Sequence, residues 1–94
     1  MEKITLEVPN SPNISFTGQI VAQDSERGAT TKIYETQEGK WIAAMINDAK
    51  GLLVQCKIIE NKSIDELIKL FGYSDAAKRI YKQLNIDTTK YLDS

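Results

Sequence analysis

Apolar and polar residues alternate through most of the first sixty positions, a period of two that is typical of strands with one buried face. At Asn61 the period changes to the 3.6 residues of an α-helix. We therefore predict an α+β fold, with a five-stranded, mainly antiparallel meander over residues 3–60 and two short helices over residues 63–84 packed on one face. The tail, residues 85–94, is predicted to add a short edge strand around residues 88–92.

The centre of the predicted sheet is a hairpin over residues 31–47. Gly39 can adopt the positive φ that closes a three-residue loop over residues 37–39. Glu35 should then face Trp41 across the strand pair. Apolar residues fall on both faces of the second strand, which predicts an interior position with cover on both sides. One face should carry Ile33, Trp41, Ala43 and Met45, and the other Tyr34, Ile42, Ala44 and Ile46, although a slip of one residue would exchange the two faces.

The neighbouring strands are predicted by the same alternation. In residues 14–22, one face should carry Ile14, Phe16, Ile20 and Ala22, although a slip of one residue would exchange the faces. Gly18 indicates a bulge or a close neighbour. Residues 24–30 are polar and should form either a connection or a longer, mobile hairpin. In the last strand, residues 52–60, the inward side chains should be Val54, Cys56 and Ile58, with Gln55 and Lys57 outward.

Two helices are predicted from their caps and their apolar spacing. Ser63 with Glu66 forms a capping box, and Gly72 is a natural stop for the first helix. Ser74 caps the second helix, with Asp75 in its first turn, where the helix dipole favours a carboxylate. Apolar residues recur at i, i+3, i+4 and i+7 in each, namely Ile64, Leu67, Ile68 and Phe71, then Ala77, Ile80, Tyr81 and Leu84.

Composition predicts one soluble domain that spans the whole chain of 94 residues. The formal net charge of −1 gives neither a basic field for nucleic acid nor a strong acidic field. The one cysteine, Cys56, cannot form an internal disulfide. No apolar run reaches the roughly 18 residues of a membrane span, and the first residues lack a signal-peptide pattern. These features predict a cytoplasmic protein.

Candidate catalytic chemistry is sparse. The chain has no histidine, which excludes Ser-His-Asp and Cys-His catalysis and removes the commonest metal ligand. Cys56 lies on the inward side of its predicted strand, which favours an inert thiol. Asp65 and Glu66 occupy the first turn of a helix, where capping and the dipole explain them. We expect no enzymatic activity, cofactor, metal or small-molecule ligand.

Aromatic side chains and open sheet edges are the candidate surfaces for a protein partner. Aromatic residues are enriched at the energetic centres of interfaces. The candidates are Trp41, Tyr34, Tyr73 and Tyr91, and for Trp41 the alternative is packing in the core. An unpaired strand edge can pair with another chain. We therefore expect a small binding or regulatory protein whose partner is a protein or a second copy.

The alternative function is nucleic-acid binding through the second helix. Lys78, Arg79 and Lys82 form the strongest basic cluster and should project from the outer side of that helix. A basic helix that follows a short turn can enter the major groove of DNA. A solvated helix face is the competing interpretation, and the net charge of the chain argues against DNA.

The order of several segments resembles the bacterial EXLDI proteins. The likeness rests on EKITLEV, on SFTGQIV, on residues 34–41 and on Ser63-Ile64-Asp65-Glu66-Leu67. The family closes on Glu-x-Leu-Asp-Ile, of which this chain keeps Leu92 and Asp93. The resemblance covers most of the chain and implies a small, non-enzymatic bacterial protein.

A second resemblance is local. The stretch from Leu70 to Ile80, LFGYSDAAKRI, is similar to the Leu-Gly-Tyr-Ser segment in the N-terminal domain of phage antirepressors of the BRO type. That domain binds DNA, so the likeness implies a phage or mobile-element origin and supports the nucleic-acid alternative.

Overall fold

The computed structural model describes residues 1–89 and has the predicted α+β architecture. The strands are β1 (Glu2–Leu6), β2 (Ile14–Glu26), β3 (Ala29–Thr36), β4 (Trp41–Asn47) and β5 (Leu52–Ile59). A 3-10 turn (Glu60–Lys62) leads into the helices α1 (Ile64–Phe71) and α2 (Asp75–Gln83). All neighbouring strands are antiparallel and lie in chain order, which confirms the predicted meander.

The predicted central hairpin has the expected register. Glu35 pairs with Trp41, and the loop closes through a hydrogen bond from the Gly39 N–H to the Thr36 carbonyl oxygen at 3.0 Å. Gly39 has φ +84°, a conformation that costs glycine little. Because the turn fixes this register, it also fixes which side chains share a face.

The core has two apolar layers, one on each face of the sheet. The layer under the helices contains Ile33, Trp41, Ala43, Ile59, Leu67, Ala77, Ile80 and Tyr81, with Ala22. The opposite layer is built around Tyr34, Ile42, Ala44 and Leu53, with partly buried side chains from β1 and β2 against it. β4 contributes to both layers and lies between β3 and β5, as its two apolar faces predict.

The predicted faces of β2 are wrong beyond its first half. Phe16 packs in the layer opposite the helices, whereas Ala22 belongs to the layer beneath them. Ile20 pairs with Tyr34 and Ala22 pairs with the preceding residue of β3, so Val21 is an extra residue in a bulge. The bulge reverses the alternation, which is why one face cannot carry all four predicted residues.

Gly18 has a close neighbour, as predicted. A Cβ atom at this position would lie 2.3 Å from the backbone oxygen of Glu35 on β3. Only glycine allows β2 and β3 to approach so closely at this point.

The polar residues 24–30 form a longer hairpin instead of a loop. β2 continues to Glu26, β3 begins at Ala29, and only Arg27 and Gly28 form the turn. Both turn residues have positive φ, +52° and +77°, as a two-residue hairpin of type I′ requires. Ser25 and Thr30 also join the strands through their hydroxyl groups at 2.8 Å.

The two helices are capped as predicted. The Ser63 side chain accepts a hydrogen bond from the Glu66 N–H at 3.3 Å, and the Ser74 side chain accepts one from the Ala77 N–H at 3.2 Å. The hydroxyl group of Tyr81 on α2 donates to the Gly72 carbonyl oxygen at 2.6 Å. This bond ties the buried face of α2 to the end of α1.

The edge strand predicted around residues 88–92 does not begin within the described part of the chain. Thr88 and Thr89 do not belong to a strand. The rest of that prediction, together with Tyr91, lies outside the described residues.

Candidate protein-interaction edge

β5 has one strand neighbour, β4, among the described residues. Its outer backbone edge, called here the β5 edge, runs from Leu52 to Ile59 and is open to solvent. Three large apolar side chains on this strand are well exposed: Leu52 at 55 %, Val54 at 61 % and Ile58 at 45 %. An edge strand of this composition is a template for pairing with another chain. The backbone groups on its outer side and these three apolar side chains are available to a partner.

The inward positions predicted for Val54 and Ile58 are therefore wrong. Met45 pairs with Gln55 and Ile46 pairs with Leu53, so Val54 is an extra residue in a bulge. Leu53 is buried in its place. Ile58 lies on the face opposite the helices, but no strand lies beyond β5 in the described chain to cover it.

Natural edge strands usually carry charges or prolines that prevent pairing. β5 contains no proline or glycine, and Lys57 is its one charged residue. Lys57 is exposed, as is its neighbour Gln55, and both were predicted to point outward. From Gln55 to Ile59 the strand pairs with β4 without interruption, so this half of the β5 edge is regular.

A cavity of about 500 Å³ adjoins the C-terminal half of β5. Ile42, Ile58 and Phe16 are among its apolar lining residues. Lys40 and Glu60 also line it, with their charged atoms 3.5 Å apart. Apolar surface thus continues from the β5 edge onto the face of the sheet opposite the helices, with a polar boundary at one end.

Cys56 lies in the middle of the β5 edge and is half-buried. Burial raises the pKa of its thiol, which disfavours the thiolate. A thiol in this state is a poor nucleophile at neutral pH. Cys56 therefore contributes to packing on this face, next to Tyr34 and Ala44.

Two of the four aromatic candidates are buried. Trp41 packs in the core under the helices, so the core interpretation of this residue applies. Tyr34 packs in the opposite layer, with its ring edge-on to Phe16 at 5.3 Å between centroids. Burial, and to a smaller extent Cys56, raises the pKa of the Tyr34 hydroxyl. In this structure neither side chain forms an accessible surface.

Tyr73 is exposed, at 58 %, in the turn between the helices. Trp41 and Tyr34 are buried in different layers of the core, so the structure does not unite the aromatic candidates into one site. The fourth candidate, Tyr91, lies outside the described residues.

The basic candidates all lie on the exposed side of α2, as predicted. The Arg79 guanidinium forms an ion pair with the Asp24 carboxylate on β2 at 2.5 Å. Arg79 is thus engaged in attaching the helix to the sheet. Lys78 and Lys82, one turn apart, remain on the outer surface of the helix.

Within residues 1–89 no group of three or more His, Cys, Asp or Glu side chains is arranged to hold a metal ion. In the same part of the chain no helix has the length and apolar character needed to cross a membrane.

The apolar surface of β5 was missed by the sequence analysis, which predicted only that sheet edges would be open. Two signals in the sequence point to it. Apolar residues are consecutive at positions 52–54 and 58–59, which strict alternation does not explain. β5 is also the last strand of a meander before the helices, which places it at an edge.

No protein-family model matches the chain, and no curated protein or solved structure shows significant similarity to it. The resemblances to EXLDI proteins and to BRO-type antirepressors stay predictions.

Proposed function

We propose that this protein is a small, non-enzymatic binding or regulatory protein that engages a protein partner by strand addition to the β5 edge. One observation carries the proposal: β5, which has no strand on its outer side among residues 1–89, exposes Leu52, Val54 and Ile58 together. In strand addition, main-chain hydrogen bonds provide affinity and the alternating side chains provide specificity. The cavity beside Ile58 gives a partner strand a further apolar surface to contact.

The proposal includes a cytoplasmic location and a bacterial or phage origin. The location rests on the single cysteine, which fits a reducing compartment. The origin rests on the two resemblances described above.

The experiment is affinity capture from a lysate of the cells that encode the protein, divided into nuclease-treated and untreated halves. The wild-type chain is compared with Val54→Lys, which places a charge on the exposed edge. The matched control is Ile20→Lys, because Ile20 is an apolar strand residue exposed to 45 % on β2. We expect a stoichiometric protein that survives nuclease, is lost with Val54→Lys and is kept with Ile20→Lys. Equal capture by all three proteins would contradict the proposal.

Nucleic-acid binding through α2 is the second candidate, because Lys78 and Lys82 remain exposed one turn apart. Such binding would weaken steeply with salt, since each phosphate contact releases counterions. This function would be favoured if nucleic acid is recovered in the untreated half. Nuclease treatment should then remove both the nucleic acid and any protein captured with it.

A further inference from the structure

We propose that the strand added to the β5 edge is β5 of a second copy of this chain, antiparallel and related by a two-fold axis at Cys56. The inference rests on the proposed function and specifies its partner. Its basis is the self-complementary order of side chains along β5, together with the open edge of that strand.

Sheet geometry limits where the axis can lie. Directly opposed residues of antiparallel strands point to the same face of the sheet, whereas consecutive residues of one strand point to opposite faces. A residue can therefore oppose its own copy, but it cannot oppose the copy of its neighbour. The axis must pass at a residue and not between two, which leaves few registers for a strand as short as β5.

The side chains that would face each other distinguish the registers whose axis lies near the middle of β5. An axis at Gln55 would oppose Leu53 to Lys57 of the other copy, an apolar residue to a charge. An axis at Lys57 would oppose the two Lys57 side chains, and like charges directly opposite are destabilising. An axis near either end of β5 would leave most of the strand unpaired.

An axis at Cys56 keeps polar beside polar and apolar beside apolar around the axis. Gln55 opposes Lys57 of the second copy within the regular half of β5, and Val54, the extra residue of the bulge, comes nearest to Ile58 of the second copy. Because a two-fold interface is isologous, each of these pairs occurs twice. The two exposed apolar positions that flank the axis, Val54 at 61 % and Ile58 at 45 %, would then cover each other.

The regular half of β5 supports this register. Gln55 and Lys57 pair with Met45 and Ala43 of β4, so they share the face that carries the helices. Cys56 and Ile58 pair with Ala44 and Ile42 and share the opposite face. The resulting dimer has a continuous ten-stranded sheet, with the helices of both copies on one face.

The first test is the molar mass in solution, measured by sedimentation equilibrium from about 1 µM to about 1 mM. We expect the wild-type chain to approach twice its 10.6 kDa as concentration rises. Val54→Lys should weaken dimerisation by at least about tenfold, because it places a charge opposite Ile58 on both sides of the axis. Ile20→Lys should dimerise like the wild type. A mass of 10.6 kDa throughout would overturn the proposal.

The second test is disulfide trapping of the register with diamide at about pH 9, because the raised pKa of Cys56 leaves little thiolate at neutral pH. Diamide takes up the two electrons and two protons released by a pair of thiols. Opposed residues of antiparallel strands have Cα atoms about 4.5–5.5 Å apart, within the range that a disulfide spans. We expect a covalent dimer of the wild-type chain and none of Cys56→Ser.

The register control is Lys57→Cys in the Cys56→Ser background. In the proposed register the two residues at position 57 lie about 8 Å apart, too far for an unstrained disulfide. Efficient trapping of this control together with poor trapping of the wild type would overturn the register. The two proposals can also fail separately. If the chain is monomeric but its lysate partner is lost with Val54→Lys, strand addition is supported and self-pairing is excluded.

Discussion

The side-chain amide of Gln83 on α2 forms two hydrogen bonds with the backbone of Gln23 on β2. The Gln23 N–H donates to Gln83 Oε1 at 3.0 Å, and Gln83 Nε2 donates to the Gln23 carbonyl oxygen at 2.9 Å. β1 pairs with β2 only from Ile14 to Gly18, so Gln23 lies beyond the end of that pairing. The side-chain amide therefore hydrogen-bonds to backbone groups of β2 that β1 does not reach. These bonds attach α2 to the sheet.

We expect Gln83→Ala to lower the free energy of unfolding by about 1 kcal/mol, since two partly exposed hydrogen bonds are lost. Gln83→Glu should fall between Gln83→Ala and the wild type, because a carboxylate can accept from the Gln23 N–H but cannot donate to its carbonyl. Urea unfolding followed by circular dichroism measures both.

Lys82→Ala is the matched control for these variants, as Lys82 is an exposed neighbour on α2. Its effect should stay within about 0.5 kcal/mol. Because alanine favours the helix at least as well as lysine or glutamine, a loss as large as that of Gln83→Ala would show that truncating any side chain on this turn of α2, and not losing the amide contact, sets the result.

Trp41 and Tyr73 should differ sharply when truncated. Trp41→Ala removes a buried ring beneath the helices and should cost about 3–5 kcal/mol, enough to unfold much of a small domain. Tyr73→Ala affects a mostly exposed ring in a turn and should cost less than about 0.5 kcal/mol. Thermal and urea unfolding test both, and similar stability of the two variants would contradict the burial of Trp41.

Stability should fall at alkaline pH. Burial is the main cause that raises the pKa values of Cys56, Tyr34 and Tyr81 above their ordinary values of 9.0, 10.0 and 10.0. Between the ordinary and the raised pKa, the folded chain holds protons that the unfolded chain releases. The free energy of unfolding therefore decreases as pH rises through this window, and the full contribution is present below about pH 9.

Urea unfolding at a series of pH values from about 7 to 11 measures this dependence. Tyr81→Phe should flatten the alkaline decline, although it also removes the hydrogen bond to Gly72 and lowers stability at all pH values. Tyr73→Phe should flatten the decline to a smaller extent, because Tyr73 is the lesser of the two causes that raise the pKa of Tyr81. A free energy of unfolding that is constant or rises above pH 9 would contradict the prediction.

The double variant Lys78→Glu/Lys82→Glu should leave capture of the protein partner unchanged. It reverses two exposed charges on α2 while keeping the ion pair between Arg79 and Asp24, so the helix stays attached. The readout is the amount of partner recovered relative to wild type. Loss of recovery with this variant, and not with Val54→Lys, would move the binding site from the β5 edge to α2.

Much of the fold could be predicted because its signals are local. Gly39 and the residues around it define one turn, and the turn fixes the pairing of Glu35 with Trp41. Ser63 and Ser74 act on N–H groups three residues away, so each helix start is contained in a few positions. Such features depend on neighbours in the chain and are visible in it.

The candidate site was predicted only as an open sheet edge, without its residues. The exposure of Val54 and Ile58 depends on the bulge in β5 and on the lack of a further strand beside it in the described part of the chain, and both are properties of the assembled sheet. The bulge at Val21 reversed the faces of β2 for the same kind of reason. An alternating pattern indicates that a strand has two faces, but it does not predict where an extra residue will interrupt the pairing with the next strand.

The sequence by itself determined the five strands, the two capped helices, the register of the central hairpin and the burial of its two faces. These follow from periodicity, turn chemistry and capping, which act over a few residues. Only the tertiary structure decided which strand edge carries exposed apolar side chains and that Arg79 and Gln83 attach α2 to β2. Those contacts join residues more than fifty positions apart, so they exist only once the whole sheet and its helices have packed together.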